Sequence, residues 1–162
     1  EVAKRHAAAM GLAIDYHVGV GESLPFQCDR FDIVICVDVL EHVHSPAATV
    51  TEISRVLQPG GVFCFDTINR TWQSRWLMIW LLEDLLRQIP RGIHDWYKFV
   101  TPEELHQLLM QVGFLKVTTH GFDLFGRTPQ DQMLNLIHFW RTGGFRVQFD
   151  DDTRVMYIGT AE

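Results

Sequence analysis

The stretch "FDIVICVDVLEHVHSPAATVTEISRVLQPGGVFCFDT", residues 31 to 67, constrains this chain more than any other. Its first six residues are apolar with one exception, the run expected of a parallel strand covered on both faces. Ser45 or Pro46 then opens a helix to about Leu57, in which Val50, Ile53, Val56 and Leu57 form one apolar stripe. "QPGG" stops that helix, and "VFCFDT" reads as the next strand. Strand, helix and strand joined by short loops predict a βαβ unit, hence an α/β fold on a parallel sheet.

Open α/β sheets bind their ligands in the crevice outside the carboxyl ends of the strands. "CVDVLEHVHSP", residues 36 to 46, places Asp38, Glu41 and His42 there. In a helical turn, positions i, i+3 and i+4 share a face, so Asp38 would converge with both partners. Two carboxylates and one imidazole suit Mg²⁺ or Mn²⁺ better than a structural zinc. The D-x-x-E-H spacing also resembles the H-x-x-E-H zinc-peptidase signature with its first His replaced. Equally, the acids can cap the next helix and leave His42 an ordinary histidine. Spacing alone leaves these readings open.

The flanks are less regular. Residues 1 to 10 read as a helix stopped by Gly11, "IDYHVG" as a short strand, and "VGESLPF" as a loop. "WQSRWLMIWLLEDLLRQIPRG" is expected to be a helix ending near Pro90, with Met78, Leu82, Leu85 and Ile89 on one apolar stripe and Trp76, Ile79 and Trp80 on another. Thr101 and Pro102 open a further helix, "FLKVTTHGF" is a strand, and "NLIHFW" fits helix or strand. "FRVQF" and "RVMYIGTAE" are expected to pair as an edge hairpin turning at Asp150, Asp151 and Asp152.

A net charge of −6 over 162 residues, without a local basic patch, argues against a nucleic-acid partner. Cys28, Cys36 and Cys64 are odd in number, lack C-x-x-C spacing and lie in apolar sequence. That pattern predicts reduced core thiols and a cytoplasmic protein. The apolar run "WLMIWLL" falls far short of the roughly 20 residues that cross a bilayer. Trp76 and Trp80 flanked by Arg70, Arg75, Arg87 and Arg91 nevertheless suit an interfacial helix at an anionic lipid surface, although a core helix or dimer contact fits the same stripe, and Glu83 and Asp84 oppose deep insertion.

"FDIVICVDVLEHVHSP", "VLQPGGVFCFDTINRTWQSRWLM" and "RQIPRGIHDWYKFVTPEEL" together resemble the class I S-adenosylmethionine-dependent methyltransferases, and most narrowly their ubiquinone-biosynthesis O-methyltransferase family. The first two carry the superfamily pattern; "TINRT" with "IPRGIHDWYKFVTPEEL" carries the quinone branch. The likeness covers roughly residues 1 to 122. It implies a Rossmann-like sheet, S-adenosylmethionine as methyl donor and a polyprenyl catechol or demethylubiquinol-type acceptor. Val37 matches the strand-end residue at the donor, and Glu22 and Ser23 match the loop along its adenine. Asp38, Glu41 and His42 match an acidic, acidic, histidine set that resembles a Mg²⁺ site, which would acidify and orient a catechol oxygen. His42 has general base as its alternative role, and His94 and Asp95 fall on the expected substrate side or serve structural hydrogen bonds. The family's peripheral membrane location shifts the Trp-rich helix toward the inner membrane face.

The likeness has one gap. The glycine-rich loop after the first strand, and the acid that holds the ribose, have no counterpart here; "GVGES" at 19 to 23 lacks the third glycine. The chain is therefore expected to be a single methyltransferase domain, residues 1 to 162, lacking its first strand, with weak activity or none as it stands. A non-catalytic membrane-associated module, or a methyltransferase for another small acceptor, are the alternatives.

Overall fold

The computed structural model describes residues 1–123, 128–144 and 148–162. Helix α1 (Val2–Ala9) ends as expected, with Gly11 just beyond it in the left-handed region at φ 66°. The segment that follows forms no strand. Ile14 and Val18 stand exposed, and the isolated bridge between Val20 and Ser23 is its nearest approach to sheet structure. An alternating run becomes a strand only beside a free sheet edge, and no described strand lies against it.

Strand β1 (Phe31–Cys36), helix α2 (Pro46–Val56) and strand β2 (Leu57–Ile68) build the βαβ unit, with β1 and β2 parallel. Ser45 caps α2, its Oγ accepting from the Ala48 amide at 3.2 Å, and Pro46 takes the first turn. β1 departs from expectation because only one of its faces is covered. Val34 and Cys36 turn toward the core, whereas Ile33 is 57% and Ile35 70% exposed.

After β2 comes α3 (Trp72–Ser74), which continues directly into π-helical turns over Arg75–Leu85. A 3₁₀ turn (Trp96–Lys98) leads to α4 (Pro102–Gln111), opened by a Thr101–Glu104 capping box. Strand β3 (Val117–Asp123), helix α5 (Pro129–Thr142), and strands β4 (Gln148–Asp150) and β5 (Met156–Ala161) complete the chain. "NLIHFW" therefore lies in helix. The expected strand "FRVQF" is described only from Gln148 onward.

The sheet order is β1-β2-β5-β3-β4. The last two strands do not form the expected hairpin: each is antiparallel to β3, on opposite sides of it, so the two run in the same direction. β5 inserts between β2 and β3, while β4 pairs with the far side of β3. The insertion is favoured because β5 is apolar enough to be central. Tyr157 and Ala161 are buried, and Gly159 leaves the space that the Phe65 ring and the Thr118 carbonyl occupy. α2 and α4 cover one side of the sheet, where Val50, Ile53, Leu105 and Leu109 meet Phe63, Phe65 and Tyr157. Tyr157 satisfies its buried hydroxyl by donating to the Val100 carbonyl at 3.0 Å.

Cys36 is buried, whereas Cys28 is exposed beside Arg55 rather than in the core. Arg55 secures the chain before β1. Its guanidinium donates to the Phe26 and Leu24 carbonyls and forks onto Glu52, whose carboxylate accepts the Leu24 amide at 2.8 Å.

Candidate functional site at the carboxyl ends of β1 and β2

The chain leaves β1 through Val37, which is 52% exposed at the strand end, and enters a tight turn at Asp38. Asp38 has φ 52°, and its amide donates to Asp66 Oδ1 on β2 at 2.7 Å. This left-handed step breaks the expected geometry. The residues after it make a turn, with the His42 amide on the Val39 carbonyl, but Asp38 is not part of one continuous helical face. Leu40 and Glu41 consequently turn inward, to 0% and 1% exposure, while Asp38 and His42 stay at the surface.

The structure does not support the expected metal set. Among the described residues, no three His, Cys, Asp or Glu side chains gather as a metal set. Glu41 instead points under β2, where its Oε2 accepts from the Thr67 hydroxyl at 2.8 Å. Its Oε1 has no partner among the described residues. Burial pushes the Glu41 carboxyl upward, against the pull of its own amide, Thr67 and His42. Burial likewise raises Asp66, and it pushes the Cys36 thiol up to about 12, so that cysteine is no nucleophile.

Glu22 is tied into the loop before α2. Its carboxylate accepts from the His44 amide at 2.7 Å and the Ser45 amide at 3.2 Å, pinning the loop that precedes α2. Those backbone hydrogen bonds, with its own amide foremost, hold the carboxyl below its ordinary range. Ser23 donates its amide to the Val20 carbonyl and closes a turn. Of the residues expected at the methyl donor, Val37 and Ser23 are exposed and Glu22 is half-buried.

A second buried polar set adjoins the first. Glu83, 2% exposed, accepts from the Gly92 amide at 2.9 Å, the His94 amide at 2.9 Å and His94 Nδ1 at 2.6 Å. The His94 ring stacks on His42 with centroids 5.6 Å apart, and meets the edge of Phe99. The π-helical turns bring Glu83 inward. Leu77 and Leu82 are buried five residues apart, matching i→i−5 bonding of the kind the Leu86 amide makes to the Leu81 carbonyl. α-helical spacing predicts Leu82 and Leu85 together, but Leu85 is exposed. Asp95 stays at the surface and caps the 3₁₀ turn through the Tyr97 amide.

Outside these polar groups, Trp72, Trp76, Trp80 and Tyr97 are exposed, with Trp76 and Trp80 stacked at 5.4 Å. Arg75 lies over Trp96. Arg70 is engaged with Glu104 and the Phe99 carbonyl, and Arg91 with Asp84. No helix among the described residues is long and apolar enough to cross a membrane.

The fold is the Rossmann-like α/β fold that solved S-adenosylmethionine-dependent methyltransferases share. Residues 1–65 match the methyltransferase domain family. A SAM-dependent methyltransferase of Thermotoga maritima superposes with a TM-score of 0.64 at 19% identity, over 99% of this chain and 69% of its own. One from Aquifex aeolicus gives 0.56 at 10% identity, over 98% and 60%. In sequence the chain is similar to curated ubiquinone biosynthesis O-methyltransferases. It is 42% identical over 120 residues to the one from Cereibacter sphaeroides, 74% of this chain and 49% of that protein. With that of Roseobacter denitrificans it shares 40% over 121 residues, 75% and 49%. The chain thus spans about half the length of the curated relatives it matches.

Proposed function

We propose that the chain forms the acceptor-side part of an S-adenosylmethionine-dependent O-methyltransferase that methylates a lipophilic catechol of the quinone-precursor type. The observation that carries the proposal is the identity with ubiquinone biosynthesis O-methyltransferases over about three quarters of the chain. The buried polar groups beside Val37, at the strand ends where α/β enzymes work, agree with it.

The residues present fit the donor in part. Val37 is open to it, while Glu22 is committed to the loop and no G-x-G-x-x-G occurs in the sequence. S-adenosylmethionine, when bound, supplies an electrophilic methyl group. The chain's own share is to orient the acceptor oxygen and accept its proton in a site walled by Phe99 and the loop after β1. Among the described residues, Asp38, Glu41 and His42 do not gather as a Mg²⁺ set.

The acceptor's isoprenoid tail requires a lipid-side approach, and the exposed Trp72, Trp76, Trp80 and Tyr97 provide an interfacial surface for it. Glu83 does not oppose insertion, because its carboxylate is turned inward onto His94. The proposed location is accordingly the inner membrane face. Calorimetric titration of S-adenosylmethionine against this chain, and against one extended upstream by the length its relatives have, tests the enzyme reading. Binding to the extended chain is expected. Binding to neither leaves the non-catalytic membrane module.

A further inference from the structure

We propose that α5 (Pro129–Thr142) is a lipid-contacting helix that lies on an anionic membrane surface beside the tryptophan-bearing π-helical turns; this rests on the membrane-side approach proposed above. The first support is the direction of its apolar face. Met133, Leu134, Ile137 and Trp140 fall at i, i+1, i+4 and i+7, the spacing of one stripe, which a helix on a globular protein ordinarily turns toward the core. Here all four are exposed, and Trp140 is 82% so. A contiguous apolar face left open in this way marks an interaction surface.

The second support is charge. Arg141 is exposed at i+8 of the same stripe, near the carboxyl end of the helix. The acid of the helix, Asp131, stands at the other end, where its Oδ2 accepts from the Thr128 amide at 3.2 Å and the Thr128 hydroxyl at 2.6 Å. No Asp or Glu follows in the sequence until Asp150. In a chain of net charge −6, this is a stretch of the opposite sign, and it complements anionic headgroups. Trp beside Arg also suits the boundary between acyl chains and headgroups, since the ring sits at the boundary while the guanidinium reaches the phosphates.

The third support is position. β1 and β2 are parallel, β5 is antiparallel to β2, and β3 is antiparallel to β5, so β3 runs with β1 and ends at the same sheet edge as Val37. Asp123, which ends β3, pairs with Gln148, which begins β4, so the excursion that carries α5 leaves and returns at that edge. The π-helical turns follow β2 from the same edge, and their buried Leu77 and Leu82 pack with Phe122 of β3. Two helices with outward tryptophans therefore start from one end of the sheet. At 14 residues α5 is about 21 Å long, short of the roughly 30 Å hydrocarbon core, so it lies along the surface. It follows the stretch, roughly residues 1 to 122, that resembles the quinone branch, so the contact belongs to this chain's own sequence.

The test is co-sedimentation of the full chain with vesicles of phosphatidylglycerol and phosphatidylcholine in equal parts. Ile137→Ser combined with Trp140→Ser is expected to weaken binding about tenfold, although Trp76 and Trp80 are intact. Arg141→Gln should weaken it about fivefold at low salt, and should change nothing on vesicles of phosphatidylcholine alone. In parallel, the emission of Trp140, taken as the difference between wild type and Trp140→Phe, should shift to the blue on these vesicles and be quenched by brominated lipid. Wild-type affinity in the Ile137→Ser, Trp140→Ser variant, or a Trp140 emission unmoved by vesicles, overturns the α5 contact; loss of binding on replacing Trp76 and Trp80 then leaves the membrane reading in place. Absence of wild-type binding overturns both. A dimer in sedimentation velocity that the α5 variant loses, with vesicle binding unchanged, assigns the stripe to a second copy of the chain and overturns the lipid contact.

Discussion

Glu41 stores free energy at the site, and the amount can be measured. Its carboxyl is 1% exposed, one oxygen is bonded to Thr67, and the other has no partner among the described residues. A buried polar group left unpaired costs about 1–3 kcal/mol, and more when it is charged. Glu41→Gln keeps the shape and the Thr67 hydrogen bond, removes the charge, and leaves a neutral amide in the unpaired position. The expected net gain at pH 8 is about 1 kcal/mol, or about 2–4 °C in Tm for a chain of this size. The sign with pH follows from the upward displacement of the carboxyl from its ordinary 4.5. The folded state keeps a proton that the unfolded chain releases, so wild-type stability falls as pH rises from 4.5 through the raised value. Below 4.5 the two proteins should converge. Urea denaturation followed by circular dichroism at a series of pH values from 4 to 8 supplies the comparison. Parallel curves for wild type and variant, or a variant less stable at pH 8, would refute the reasoning.

Other substitutions probe the frame around the site. Arg55 holds the Glu52 carboxyl down to about 2, so Glu52→Gln should cost about 1 kcal/mol at pH 7 after solvent screening, with the difference vanishing as pH falls from 4.5 toward 2; urea midpoints at the two extremes decide it. Gly159→Ala places a methyl against the Thr118 carbonyl and the Phe65 ring in the central strand, and should lower stability by about 3 kcal/mol in the same assay. Replacing both Trp76 and Trp80 with Ser should weaken sedimentation with anionic vesicles by about tenfold. Unchanged sedimentation would assign the exposed tryptophans to a protein contact.

Elements whose signals are local were legible in the sequence. Ser45-Pro46 and Thr101-Pro102 open helices where their side chains cap the first amides, and Gly11 closes α1. Strand partners were not legible, because pairing is decided by which edges are free. β5 reads as the second arm of a hairpin, yet its small Gly159 and buried Tyr157 suit it to the middle of the sheet. At the site, the position of Asp38, Glu41 and His42 was readable but their convergence was not. Spacing arguments assume a helix, and the left-handed backbone at Asp38 separates the three. The hydrogen bonds of Glu22 to the His44 and Ser45 amides had no local signal in the sequence.

The Glu83–His94 pair shows why one half of a buried set can be noticed and the other missed. "IPRGIHDW" drew attention to His94, whereas Glu83 counted only as a charge on an amphipathic helix. On α-helical periodicity, Glu83 is a flank of the apolar stripe. The π-helical turns change the period, so Leu77 and Leu82 share a buried line and Glu83 follows them inside. The same change of period leaves Trp76 and Trp80 stacked on the outside. One short helix therefore presents a carboxylate to the site and an aromatic surface to the exterior. Any force that draws Trp80 outward acts, across three residues of backbone, on the carboxylate that meets His94. Reversion of these turns to α-helical bonding would rotate Glu83 away from the ring, and ¹⁵N spectra of His94 with and without anionic vesicles would register that rotation as loss of the Nδ1 hydrogen bond.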